Sequence, residues 1–426
     1  MAEDSFLTDD LLRQLISVGE VDLLVGVPSR NNADTIGHTV EAIEESFQHA
    51  FPRQRVVIVN VDCGSSDGTI DLFLNSSGRK NASSRGITSL RTEHRVVARY
   101  ENATQATVLR TIAATGDLLR ARACAVVSAA TSNLTADWVG NLLQPVYRQD
   151  FDFVAPLYAR QRFDGLLARL VLYPITRAVF GKRIREIQSG EFGFSGRLAT
   201  NCTTSDMWRE PSIQDLPQAC MTVTAIASGY RCCQSYLGPR LRPVAAQTPD
   251  IVTAVRQAVG ALFWCVNAYE DYWMGHAAND TVPSFGPDHE LTDDPVTVNL
   301  ERLFELFRSG VAELSPLLKT ILAPDTYAEV QRLAACDERK LCFENMLWAR
   351  TVYDFAASYH HTLLNRDHLV QALVPLYRGK TYSFFLQHAA STAADIEADS
   401  ENLCLEFEKQ RVHFMERWKS QTEVST

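Results

Sequence analysis

The strongest chemical signal in this chain is a carboxylate at the end of an apolar run. Residues 56–59 (Val, Val, Ile, Val) lead through Asn60 and Val61 to Asp62, Cys63, Gly64, Ser65, Ser66, Asp67, Gly68 and Thr69. An aspartate so placed can accept hydrogen bonds from the ring N–H of a nucleotide base, and Gly64 leaves room for the base to approach. The same residues also make a strand-to-helix turn with Asp67 as cap, and both readings stand. Other candidates carry less. His360 and His361 are adjacent on a helical stretch, where neighbours point apart, so a surface pair is expected and not a metal site. Cys232 and Cys233 read as a core strand pair with one thiol on each face. Asp293 and Asp294 precede Pro295 and a helical pattern, which helix initiation explains.

The elements that position Asp62 follow from periodicity. A leading amphipathic helix occupies the first twenty residues, and residues 21–27 form an apolar strand that stops at Pro28, Ser29, Arg30, Asn31 and Asn32. Asn32 is expected to cap a helix in which Ile36, Val40, Ile43 and Phe47 share one face. The strand at 56–59 and a helix near 70–74 repeat the unit, which favours a sheet with crossover helices and ligands at the carboxyl ends of its strands. Residues 76–90 read as a polar loop. Further strands are expected at 96–100, 123–127 and 153–158, and a stretch too irregular for a helix at Gly190 to Gly196. From about residue 250 the apolar spacing becomes helical throughout, with a boundary expected at 243–249.

Bulk properties narrow the classes. The chain has 426 residues, 46% hydrophobic and 22% charged, with a formal net charge of −10. That charge argues against nucleic-acid binding, which needs clustered Lys and Arg. Ten cysteines without paired CxxC motifs are read as free thiols of a reducing compartment. No basic-headed signal segment and no run of ~18 apolar residues is read, so a cytoplasmic protein without a membrane span is expected.

Taken together, Pro28 to Asn32, the Asp62 turn, Tyr158-Ala159-Arg160, Tyr173 to Arg185, Gly190 to Gly196, the stretch 348–359 and Pro375 to Thr381 resemble glycosyltransferase family 2 and its glucosylglycerate, glucosyl-3-phosphoglycerate and mannosylglycerate synthase relatives. The resemblance implies an α/β GT-A fold, a mixed sheet with flanking helices at 1–245 and a helical domain at 246–426. It implies hexosyl transfer from a nucleoside-diphosphate sugar to a small hydroxy acid such as glycerate or 3-phosphoglycerate. Carried over, Pro28, Ser29, Arg30, Asp62 and Gly64 would hold the donor's base and ribose, and Ser128 and Ala130 would stand at its diphosphate. Gly190 and Glu191 would line the sugar pocket. Arg160 would meet the acceptor's carboxylate, for which a planar two-pronged cation is apt.

The departures fall where the chemistry should be. The family's Asp-x-Asp, which holds magnesium or manganese, is Ser128-Ala129-Ala130 here, and its histidine ligand aligns with Arg242. A Gly-Lys-Gly segment aligns near Thr104-Gln105-Ala106, and an acidic position aligns with Gln218. Serine and alanine cannot grip a hard cation, so no metal cofactor is expected. Arg240 and Arg242 stand where the missing ligand belongs, either as a cationic substitute or as solvated loop residues. Arg242 and Gln218 are therefore the catalytic candidates. The alternative is a catalytically silent relative that serves as a nucleotide-binding or regulatory partner. Self-association into a homo-oligomer is left open.

Overall fold

The computed structural model describes residues 6–76, 92–241, 250–276, 279–287, 298–362 and 365–420. The expected polar loop at 76–90, the boundary at 243–249 and Asp293-Asp294 lie outside these residues, Ser76 excepted. The chain divides into two compact units: Met1–Ala159, Glu186–Thr248 and Val282–Glu290 form the first, and Arg160–Arg185, Pro249–Thr281 and Leu291–Thr426 the second.

The first unit is built on one mixed sheet. Its strands are β1 (Leu23–Ser29), β2 (Val56–Asp62), β3 (Glu93–Arg99), β4 (Ala123–Val126), β5 (Phe153–Ala159), β6 (Phe192–Ser195), β7 (Cys232–Pro239) and β8 (Ser284–Phe285), in the order β3-β2-β1-β4-β6-β5-β7-β8. β3, β2, β1 and β4 run parallel, β6 is antiparallel to both its neighbours, and β5, β7 and β8 are parallel again. The central strands are apolar on both faces because helices cover both sides. Leu23, Val25 and Val27 pack with Ile36, Val40, Ile43 and Phe47 of the helix Ala33–Ala50. On the opposite face a Cβ at Gly26 would come within 2.6 Å of Ile112, in the helix Gln105–Leu118, so only glycine admits that helix.

The stretch Gly190 to Gly196 is not helical before its last residue, as expected: it supplies β6, and the helix Gly196–Thr203 starts at its end, capped by Ser195 Oγ, which accepts from Leu198 N at 3.1 Å. Glycine is needed there for packing. A Cβ at Gly193 would lie 2.3 Å from the carbonyl oxygen of Leu142. Backbone cannot step aside as a side-chain tip can, so Gly193→Ala is expected to destabilise the protein by about 2–3 kcal/mol, read as a lower urea midpoint.

The second unit is helical. Trp348 donates its Nε1 to Leu170 O at 2.7 Å, and Trp273, Phe414 and Trp418 stack and edge together nearby in that unit. Two expectations change here. His360 and His361 are half-buried: His360 stacks on Trp418 at 4.1 Å and meets Asn267, and His361 bonds to Trp418 O at 2.7 Å. The aromatic cluster is what draws them in. The helix Ile251–Ala268, with mean hydropathy 1.3, is long and apolar enough to cross a membrane by length and composition. Val255, Val259, Leu262, Phe263 and Val266 of this helix are buried in the unit's interior. All ten cysteines are free, seven of them buried.

Candidate functional site

Strand direction gathers the nominated residues. The carboxyl ends of the parallel strands β1, β2 and β4, the start of antiparallel β6 and the ends of β5 and β7 share one edge of the sheet. Pro28, Ser29, Asp62, Ser128, Ala130, Tyr158, Glu191 and Arg240 are therefore carried to that edge, with exposed Arg30 and half-buried Gly64 in the loops that follow. Such an edge is where open α/β sheets place ligands. Arg160 belongs to the second unit, where its Nη1 lies 3.4 Å from Asp164 Oδ2. Arg242 lies outside the described residues.

Asp62 is the clasp of this edge. Its Oδ1 accepts from Gly64 N at 3.0 Å and Ser65 N at 2.8 Å, and its Oδ2 accepts from Ser29 Oγ at 3.1 Å and from Ser65 Oγ. A carboxylate offers about four acceptor positions, and all are taken. Asn60 extends the clasp by donating to Val27 O at 3.0 Å and Ser29 Oγ at 2.9 Å. The two strand-end loops are then zipped together: Asn31 N donates to Ser65 Oγ at 2.8 Å, and Ser66 N to Asn31 Oδ1 at 3.0 Å. Asn32 stands at the helix start, but its side chain accepts from Arg30 N at 2.8 Å instead of capping. Asp67 takes over that task, accepting from Ala33 N at 3.0 Å and from Thr69 N at 3.1 Å.

Glu191, itself fully buried, centres a second cluster. Its Oε1 accepts from Thr131 Oγ1 at 2.7 Å and from Arg240 Nη2 at 2.9 Å, and its Oε2 accepts from Tyr158 Oη at 2.5 Å. Burial, and then the charge of Glu191, push the Tyr158 hydroxyl well above its ordinary pKa, so it stays a donor. Gln218 braces the turn before Glu191: Oε1 accepts from Ser189 N and Gly190 N, each at 2.8 Å, and Nε2 donates to Ser189 Oγ at 2.9 Å. Both ends of the Gln218 amide are spent on this turn. Gly190 has φ +92°, and a Cβ there would meet Arg240 Nη2 at 3.0 Å. The residues aligned with Gly-Lys-Gly have a structural task, since Thr104 caps the helix Gln105–Leu118. Thr131 and Ser189 join the site unannounced by any motif, and Tyr158, part of the Tyr158-Ala159-Arg160 motif, joins it in a role that motif did not assign.

A divalent cation does not fit this arrangement. Ser128 uses its hydroxyl to accept from Ala130 N at 3.2 Å, and Ala129 and Ala130 have no side-chain donor atom. The nearby carboxylate, Glu191, is already shared among three donors. Among the described residues no three His, Cys, Asp or Glu side chains gather as a metal site. Magnesium and manganese want several carboxylate or water oxygens around them.

No protein-family model matches the chain, and no curated protein matches it. Solved structures do. The chain is similar to glucosyl-3-phosphoglycerate synthase from Mycobacterium tuberculosis with Mn2+, UDP and glucosyl-3-phosphoglycerate, at 15% identity and a TM-score of 0.43, over 61% of this chain and 83% of that one. It is similar to the same enzyme with Mn2+, UDP-glucose and phosphoglyceric acid, at 16% identity and a TM-score of 0.42, over 59% and 80%. Mannosyl-3-phosphoglycerate synthase from Rubrobacter xylanophilus matches at 17% and 0.40, over 62% and 78%. The chain is thus similar to glucosyl- and mannosyl-3-phosphoglycerate synthases. The expected mixed sheet, its flanking helices and the helical C-terminal region are all present.

Proposed function

We propose that this chain binds a nucleoside-diphosphate sugar at the shared strand edge and transfers its hexosyl group to a small hydroxy acid, such as glycerate or 3-phosphoglycerate, without a divalent cation. The observation that carries this reading is the Glu191–Arg240 pair, which puts a guanidinium beside the loop that follows β4. In the transfer the bond from the anomeric carbon to the diphosphate breaks, a bond to the acceptor's hydroxyl oxygen forms, and the proton of that hydroxyl passes to the departing diphosphate. Negative charge grows on the diphosphate as its bond breaks, and a fixed cation nearby favours that change. Pro28, Ser29, Arg30, Asp62 and Gly64 would shape the floor under the base and ribose, Asp62 by holding the turn. Ser128 and Ala130 would flank the diphosphate, and Gly190 and Glu191 the sugar. Arg160 would receive the acceptor's carboxylate, and Arg242 would assist the leaving group. The test is incubation with uridine and guanosine diphospho-sugars plus glycerate or 3-phosphoglycerate, in EDTA and in manganese, with products read by mass spectrometry. Transfer that survives EDTA is expected; no product from any donor in either condition rejects the reading.

Gln218 favours a second reading. A carboxamide locked at both ends cannot act as a base, which suits a catalytically silent relative that keeps a nucleotide pocket and regulates a partner. Binding of uridine or guanosine diphosphate by calorimetry, with no product in the transfer assay, would select it.

A further inference from the structure

We infer that Arg240 stands in the place of the absent cation and is itself the group that meets the donor's diphosphate, with Glu191 as its positioning carboxylate. The inference rests on the sugar-nucleotide reading above and assigns its charge contact.

The loop after β4 and the end of β7 are laced together on both sides of Arg240. Asn133 Nδ2 donates to Pro239 O at 2.6 Å, Leu241 N donates to Asn133 Oδ1 at 2.8 Å, and Ser132 N and Oγ donate to Leu241 O at 3.1 and 3.2 Å. Thr131 and Arg240 share one oxygen of Glu191, which fixes the guanidinium next to the segment Ser128-Ala129-Ala130-Thr131. Its other terminal nitrogen donates to Ser189 O, and the Tyr158 ring lies 5.6 Å from its central carbon. The side chain is thus aimed, and it is 15% exposed.

Two of the guanidinium's five N–H donors are accounted for by these contacts. Nε is buried with no partner among the described residues. A held, planar cation with donors to spare suits phosphate oxygens, which arginine engages through paired hydrogen bonds. On this geometry, carboxylates at 128 and 130 alone are not expected to restore a metal site. A cation placed there would lie against a guanidinium already paired with Glu191.

Two measurements on the full chain decide this. The first is manganese binding by calorimetry to the native protein, to S128D/A130D and to S128D/A130D/R240S. Binding at least ten-fold tighter in the triple variant than in the other two is expected. Equal affinity in the double and triple variants, or a triple variant no better than native, overturns the claim that Arg240 holds the cation's place. The second is binding of uridine and guanosine diphosphate in EDTA and in magnesium, for native, R240K and E191Q/R240M. The last variant removes the ion pair as a unit, so loss of fold from a stranded charge does not obscure the result. Native affinity that ignores magnesium and falls at least ten-fold in both variants is expected; unchanged affinity in both overturns the diphosphate contact. Should neither nucleotide bind the native protein, that contact falls together with the functional reading, while the manganese series still decides the cation's place.

Discussion

Glu191→Ala is expected to lower the stability of the protein by about 3–5 kcal/mol, because it removes the counter-charge of a guanidinium only 15% exposed and, at the same time, the acceptor of two hydroxyls. Three donors converge on this carboxylate: Thr131 Oγ1, Tyr158 Oη and Arg240 Nη2. Without it the guanidinium is held by Ser189 O but has no counter-charge, and two hydroxyls lose their acceptor. Glu191→Gln should cost less, since an amide oxygen still accepts, although the charge is gone and its NH2 must face a donor. Urea unfolding at neutral pH reads both values, and Glu191→Ala within 1 kcal/mol of native would show that the cluster is not a tight unit. Tyr158 supplies an independent reading. Its folded pKa is raised, so the neutral phenol favours the native state; this contribution is complete below the ordinary value of 10.0 and is lost as pH rises toward the folded value. Removing Glu191 takes away one cause of the rise and leaves burial, so the tyrosine should titrate at lower pH in Glu191→Ala, visible in the phenolate absorbance.

How much of this could be read in the sequence depends on the distance over which each partner acts. The parallel strands were legible because burial on both faces demands unbroken apolar runs, as in 56–59, and the helix Ala33–Ala50 because Ile36, Val40, Ile43 and Phe47 can only meet a core together. Asp62 was legible as a strand-end carboxylate, but not as a saturated one. Ser29, the donor that completes its set, comes from a different strand, and spacing says nothing of it. Glu191 was nominated for a sugar; the structure gives it Arg240, Thr131 and Tyr158, residues scattered over 110 positions of sequence. The glycines of 190–196 argue against a helix, but the reason for each glycine is not legible in sequence: Leu142 O and Ala121 O press on Gly193 and Gly196 from other elements. Helical geometry separates His360 from His361 on their own helix but cannot place Trp418, which packs on both from another helix.

In the second unit the charge asymmetry runs the other way and gives an unequal pair of expected results. Arg177 is fully buried, with Nη1 and Nη2 on the two oxygens of Glu401 at 2.6 and 2.7 Å and Nε on Glu408 Oε1 at 2.6 Å. The carboxylates are not buried to match: Glu401 is 42% and Glu408 26% exposed. Removing the arginine lets both acids rehydrate, whereas removing the acids leaves a cation with no water to turn to. E401Q/E408Q should therefore cost about 3–5 kcal/mol, and Arg177→Met, which keeps the aliphatic bulk, only about 1–2 kcal/mol. The hydrogen bond from Arg177 is the largest influence holding the Glu401 carboxyl below its ordinary 4.5. A depressed folded value means stability that is present above pH 4.5 and lost as pH falls through the folded value. The native protein should weaken over that acid window, and Arg177→Met should lack this part of the loss. Urea midpoints at pH 7 and pH 3 for the three proteins test both points. If Arg177→Met proves as costly as E401Q/E408Q at pH 7, the energy resides in packing around the guanidinium and not in the desolvation of its charge.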